Sequence, residues 1–159
     1  MHGMGLVDEL QSFGTEGNIL FSAGNRSRVT HSRSTAKPSE AVAVIETGTV
    51  DKFGFGDTDL ALMCASHSRE DFHITRTKNM LSKIEAEGGR PAVSEEVNSE
   101  WIKTRFVPTG ICNNCSGKHV AMMAGAEALG AGAKDCHLPD YPMQLKVKRF
   151  VNDLTYDPK

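Results

Sequence analysis

Apolar residues recur along this chain in two brief runs near the start and then at helical spacing. Val7 to Phe13 and Asn18-Ile19-Leu20-Phe21 flank Gly14-Thr15-Glu16-Gly17, which predicts a β-hairpin. From Pro38 the mostly apolar Glu40-Ala41-Val42-Ala43-Val44-Ile45-Glu46 predicts a short helix stopped at Thr47-Gly48. Asp57-Thr58-Asp59 opens another apolar stretch, Leu60 to Ala65, which breaks at Ser66-His67-Ser68. Ser68-x-x-Asp71 then has the form of a capping box, and Phe72, Thr75 or Arg76, Met80 and Ile84 repeat at helical spacing until Gly88-Gly89. Residues 88–96 read as a link, and Ser94 heads a shorter helix carrying Val97 and Trp101. A core helix is predicted from about Lys118 to Leu129, with a small-residue surface of Ala121, Ala124, Gly125 and Ala128 and a stop at Gly130. The last helix starts at Asp140 with Pro142 near its first position, and Met143, Val147, Phe150, Val151 and Leu154 mark an apolar stripe that needs a partner surface.

This pattern predicts the α/β class in its mixed α+β form, and 159 residues suit one ordinary domain. A net charge of -2 with interspersed signs provides no basic stripe, so nucleic acid is not an expected partner. No apolar run reaches membrane-spanning length and the start lacks a basic n-region and apolar core, which predicts a cytoplasmic protein without membrane contact. Cys64, Cys112, Cys115 and Cys136 are too few for a disulfide scaffold, so reduced thiols or metal ligands are expected.

Three polar clusters carry chemistry. In Arg33-Ser34-Thr35-Ala36-Lys37-Pro38, the Ser-x-x-Lys spacing puts a hydroxyl and an amine on one helical face, where Lys37 as a free amine can take the Ser34 proton. That amine has to be neutral, a state favoured by burial and by a like charge such as Arg33. The bland alternative makes Ser34 an N-cap, puts Pro38 in the first turn and leaves Lys37 in solvent; the spacing alone favours it. Cys112-Asn113-Asn114-Cys115-Ser116-Gly117-Lys118-His119 fits a redox pair, a zinc site drawn from Cys112, Cys115, His119 and Cys136 or His137, or a loop feeding an active site. Ser66-His67-Ser68 supplies a base or a substrate contact, against the alternative of a satisfied loop histidine.

Taken in order, Arg33 to Pro38, Ala65-Ser66-His67-Ser68, Asn114 to His119 and His137-Leu138-Pro139-Asp140-Tyr141-Pro142-Met143-Gln144 resemble the L-asparaginase II family, the Ser-Lys, zinc-containing class. The resemblance covers about Gly3 to Leu154 and implies a fold like the serine β-lactamases and glutaminases. It implies attack of Ser34, activated by Lys37, on the side-chain amide of L-asparagine, with release of ammonia and hydrolysis of the acyl-enzyme to L-aspartate. It places Arg33, Ser66 and His67 in the substrate pocket and Cys115 and Lys118 on zinc, and it leaves room for a homodimer.

Several positions depart from the family pattern. Arg69 stands where glycine is usual, beside the pocket, and the stretch Ile84 to Pro91 is shortened. Cys136 and Tyr141 replace tyrosine and histidine, and Val120-Ala121 replaces Ala-Gly. Family members continue into an Asp-Gly-Cys segment with a further zinc ligand, whereas this sequence stops at Lys159, so one domain lacking the family's C-terminal part is expected. The alternative function is an inactive remnant or interaction module holding zinc through Cys112, Cys115 and His119.

Overall fold

Helices dominate the described chain, and a single antiparallel pair of strands precedes them. The computed structural model describes residues 10–25, 31–84 and 109–155. The expected link at 88–96 and the helix carrying Val97 and Trp101 lie outside these residues. Met1–Arg33 and Ser34–Lys159 are two compact units.

In the first unit, β1 (Leu10–Phe13) pairs with β2 (Ile19–Ala23) in the register Leu10 to Ala23 and Ser12 to Phe21, with an irregularity between Ser12 and Phe13. The turn between them is closed by the Gly14 N–H on the Asn18 carbonyl at 2.8 Å and the Gly17 N–H on the Gly14 carbonyl at 3.0 Å. Gly17 has φ of 78°, a conformation that only glycine adopts at no steric cost. The predicted hairpin is therefore present, and the part of its first run before Leu10 lies outside the described residues.

A 3₁₀ turn (Arg33–Ala36), in the second unit from Ser34 on, runs into α1 (Lys37–Ile45), followed by α2 (Thr49–Phe53), α3 (Asp57–Cys64) and α4 (Asp71–Ile84). After a second 3₁₀ turn (Gly110–Cys112) come α5 (Ser116–Ala128) and α6 (Pro142–Thr155). Gly48 and Gly130 stand in the left-handed region where the two glycine stops are predicted. Asp59 accepts the Gly56 N–H at 3.0 Å and so satisfies one of the donors that open α3. The predicted box at Ser68-x-x-Asp71 takes another form, because the Ser68 N–H is bonded by Glu70 rather than by Asp71.

α5 forms the centre and packs against α1, α3 and α4. Its small residues allow this approach: a β-carbon on Gly117 would come within 2.5 Å of the Leu62 carbonyl oxygen, and one on Gly125 within 2.5 Å of Met143 Sδ. Met63, Met80, Met143, Val44 and Val120 are fully buried in the resulting core. The α6 stripe finds its partner surface through Met143, Val147 and Phe150, while Leu154 remains exposed. Phe72, predicted on the core face of α4, is 68% exposed, and Thr77 is buried instead. Thr77 can replace an apolar residue there because its hydroxyl is satisfied by the His73 carbonyl at 2.8 Å.

Candidate active site

Lys37 is the first residue of α1 and only 2% exposed. The bland expectation of a solvated lysine behind a Ser34 cap is overturned: the N-cap is Ala36, Ser34 lies inside the 3₁₀ turn, and no side chain caps the helix. The cause is periodicity, since Lys37 precedes buried Ala41 and Val44 by four and seven residues and continues their face. Its amine is carried inward to the end of α3. There Nζ donates to the Ala65 carbonyl and to Ser66 Oγ, each at 2.6 Å. Cationic donors are favoured at such a C-terminus, where unpaired carbonyls gather.

Ser66 Oγ in turn donates to Ser34 Oγ at 3.2 Å. Ser34 and Ser66 are exposed, so the nucleophile candidate is open to solvent while the amine behind it is enclosed. Lys37 thus reaches Ser34 through Ser66, a connection that spacing within Ser-x-x-Lys does not disclose. Arg33 is exposed, with φ of 48°.

His67 is 7% exposed and turned inward. Its Nε2 meets Ser116 Oγ at 2.9 Å, its Nδ1 accepts the Arg69 N–H at 3.2 Å, and its own N–H is bonded by the Asn114 carbonyl at 3.3 Å. These bonds tie the loop after α3 to the start of α5. Burial first, then the neighbouring His73, hold the His67 imidazole below its ordinary pKa. His73 stacks on His67 with ring centroids 4.7 Å apart, and its Nδ1 meets Glu70 Oε2 at 2.7 Å.

Arg69, expected to project beside the pocket, lies half-buried with φ of 69°. A non-glycine residue there carries a cost of about 1–2 kcal/mol, which glycine would escape. Its side chain is directed to Cys112: burial raises that thiol, but hydrogen bonds from Thr109 and Arg69 and the guanidinium charge outweigh it and hold the pKa below its ordinary value.

Cys115 precedes α5 and Lys118 lies in its first turn, with Lys118 Nζ 3.7 Å from Glu40 Oε2. His119 is one turn beyond Cys115, its Nδ1 buried without a hydrogen-bond partner among the described residues. Burial first, then Lys118, push the His119 pKa down to about 4, so its ring is neutral at pH 7. Among the described residues, no cluster of three Cys, His, Asp or Glu donors includes Cys112, Cys115 or His119. Lys118 is directed to the Glu40 carboxylate, so among the described residues no closed donor set of the structural-zinc kind forms at Cys112, Cys115 or His119. A three-donor cluster stands elsewhere, at His67, Glu70 and His73. All four cysteines are free thiols.

The sequence model of the L-asparaginase II family matches residues 9–159. The chain belongs to the L-asparaginase II family. Family membership points to amide hydrolysis on a small-molecule substrate. No curated protein gives a significant match. In this L-asparaginase II family protein, Ser34, Lys37 and Ser66 converge, His67 underpins the loop that carries Ser66, and Cys115 and Lys118 belong to the start of α5. No helix among the described residues is long and apolar enough to cross a membrane.

Proposed function

We propose that the protein hydrolyses the side-chain amide of L-asparagine, with Ser34 as nucleophile and Lys37 as the base that activates it. The observation that carries this is the continuous polar path from buried Lys37 Nζ through Ser66 Oγ to exposed Ser34 Oγ. With the amine free of its extra proton, both hydroxyl protons in this path can reverse direction, so that Ser34 donates to Ser66 and Ser66 donates to Lys37. Ser34 oxygen then bonds to the amide carbon as its proton passes through Ser66 to Lys37. Return of a proton to the departing nitrogen breaks the C–N bond and releases ammonia. Water, activated by the same path, cleaves the acyl ester to L-aspartate and restores Ser34.

Arg33, next to the nucleophile in sequence, suits the substrate carboxylate because a guanidinium binds it in bidentate fashion. His67 serves by holding the Ser66 loop. No step passes through zinc at Cys115 and Lys118. A serine β-lactamase-like arrangement belongs to the same proposal, supported by Ser-x-x-Lys at the start of a helix in a helix-rich unit.

The decisive experiment is ammonia release from L-asparagine by the purified chain and by Ser34→Ala and Lys37→Met, the latter keeping the buried side-chain volume. Loss of release in both folded variants is expected. Release that persists in both eliminates the mechanism.

A further inference from the structure

The Ser66 loop and the start of α4 hold a second group of chemistry-bearing side chains, outside the path from Lys37 through Ser66 to Ser34. We propose that His67, Glu70 and His73 form a binding site for a divalent transition-metal ion of the zinc or cobalt class. One ligand atom from each residue lies within 4.8 Å of the other two. Tetrahedral zinc, with bonds of about 2.0–2.1 Å, sets its ligand atoms about 3.3 Å apart. Rotation of the Glu70 side chain, which is about half exposed, and a small shift of His73 close that difference.

The surroundings of His67 match a ligand's needs. A metal-bound histidine almost always gives its other ring N–H to a fixed acceptor, which sets tautomer and orientation. His67 Nε2 has that partner in Ser116 Oγ at 2.9 Å, and Ser116 is itself buried against Thr77 Oγ1 at 3.2 Å. This leaves Nδ1 for the ion, at the expense of a 3.2 Å bond from the Arg69 N–H. Ligation also requires a neutral imidazole, the form that burial of His67 favours. His73 and Glu70 are partly open to solvent and provide the way in.

Two imidazoles with one carboxylate select the borderline metals over magnesium or calcium, which prefer oxygen. The competing explanation is purely structural, in which the Glu70 to His73 contact merely braces the first turn of α4. The two differ in whether the group takes up metal. The proposal does not rest on amide hydrolysis, because its readout is spectroscopic.

Titration of the full chain, stripped with a chelator, with Co²⁺ tests it. Expected is one ion per chain, with visible ligand-field bands of nitrogen and oxygen ligation and no thiolate-to-cobalt transition. Glu70→Gln and His73→Gln, each checked for an unchanged far-UV spectrum, should weaken binding at least tenfold. Ser116→Ala should weaken it by about 10–100-fold through the lost orienting bond. Absence of saturable uptake, a dominant thiolate transition, or unchanged affinity in both Glu70→Gln and His73→Gln would overturn the proposal, and the two partly exposed positions keep it decidable should Ser116→Ala fail to fold.

Discussion

Lys37 and Ser66, 29 residues apart in sequence, meet with Nζ and Oγ separated by 2.6 Å. The contact joins the first residue of one helix to the loop that leaves another. It makes Ser66 the intermediary between the amine and Ser34.

Ser66→Ala should therefore cost as much as loss of a general base, about 10²–10⁴-fold in kcat for ammonia release. A direct transfer from Ser34 to Lys37 predicts a loss of only a few fold. Steady-state kinetics on Ser66→Ala, beside Ser34→Ala, separates the two.

The two buried glycines of α5 should respond differently to alanine, although each substitution gains about 0.5–1 kcal/mol of helix propensity. At Gly117 the new methyl meets the Leu62 backbone carbonyl at 2.5 Å, which cannot move without displacing α3, so a net loss of about 1–3 kcal/mol is expected. At Gly125 it meets Met143 Sδ, the flexible part of a side chain, and the change should be much smaller. Urea unfolding of Gly117→Ala and Gly125→Ala measures both, and equal costs would contradict this packing.

Asp59 is buried and accepts from Arg76 Nε, from Lys83 Nζ at 3.1 Å and from the Gly56 N–H. Burial raises its carboxyl, but the bonds from Gly56, Lys83 and Arg76 outweigh it and hold the pKa below its ordinary value. A carboxyl depressed in the folded state contributes stability that is full above the unfolded value, about 3.9, and is lost as pH falls through the folded value. Asp59→Asn should cost about 1.5–3 kcal/mol at pH 7. The difference from the parent chain in urea should shrink as the pH drops below about 4, and a pH-independent difference would count against the ionised pairing.

Met143 is the residue by which α6 enters the core. Met143→Ala should remove about 2–5 kcal/mol, and Leu154→Ala, at an exposed position, should change stability little. Thermal unfolding of the two variants checks whether α6 is anchored at its start.

Much of the helical framework is legible from the chain because its signals are local. Gly48 and Gly130 end helices as their lack of a β-carbon allows, and the apolar spacing of Met80 with Ile84 and of Met143 with Val147 marks faces that pack on the core, Val147 only partly buried. Lys37 carried a readable signal too, standing four and seven residues before Ala41 and Val44, but the polar end of its side chain masked its place on that face. Phe72 shows the opposite failure, an apolar residue at core spacing that packing leaves outside, since helical phase alone does not say which neighbour is present.

The sequence by itself determined family membership, the hairpin and the positions of most helices, because motif order, turn residues and apolar periodicity act over a few residues. Only the tertiary structure decided that Ser66 links Lys37 to Ser34, that His67 turns to Ser116, and that, among the described residues, the three-donor cluster is His67, Glu70 and His73 rather than one drawn from Cys112, Cys115 and His119. These depend on how closely α5 lets α1, α3 and α4 approach, a distance set by the bare backbone at Gly117 and Gly125 against residues far away in the chain.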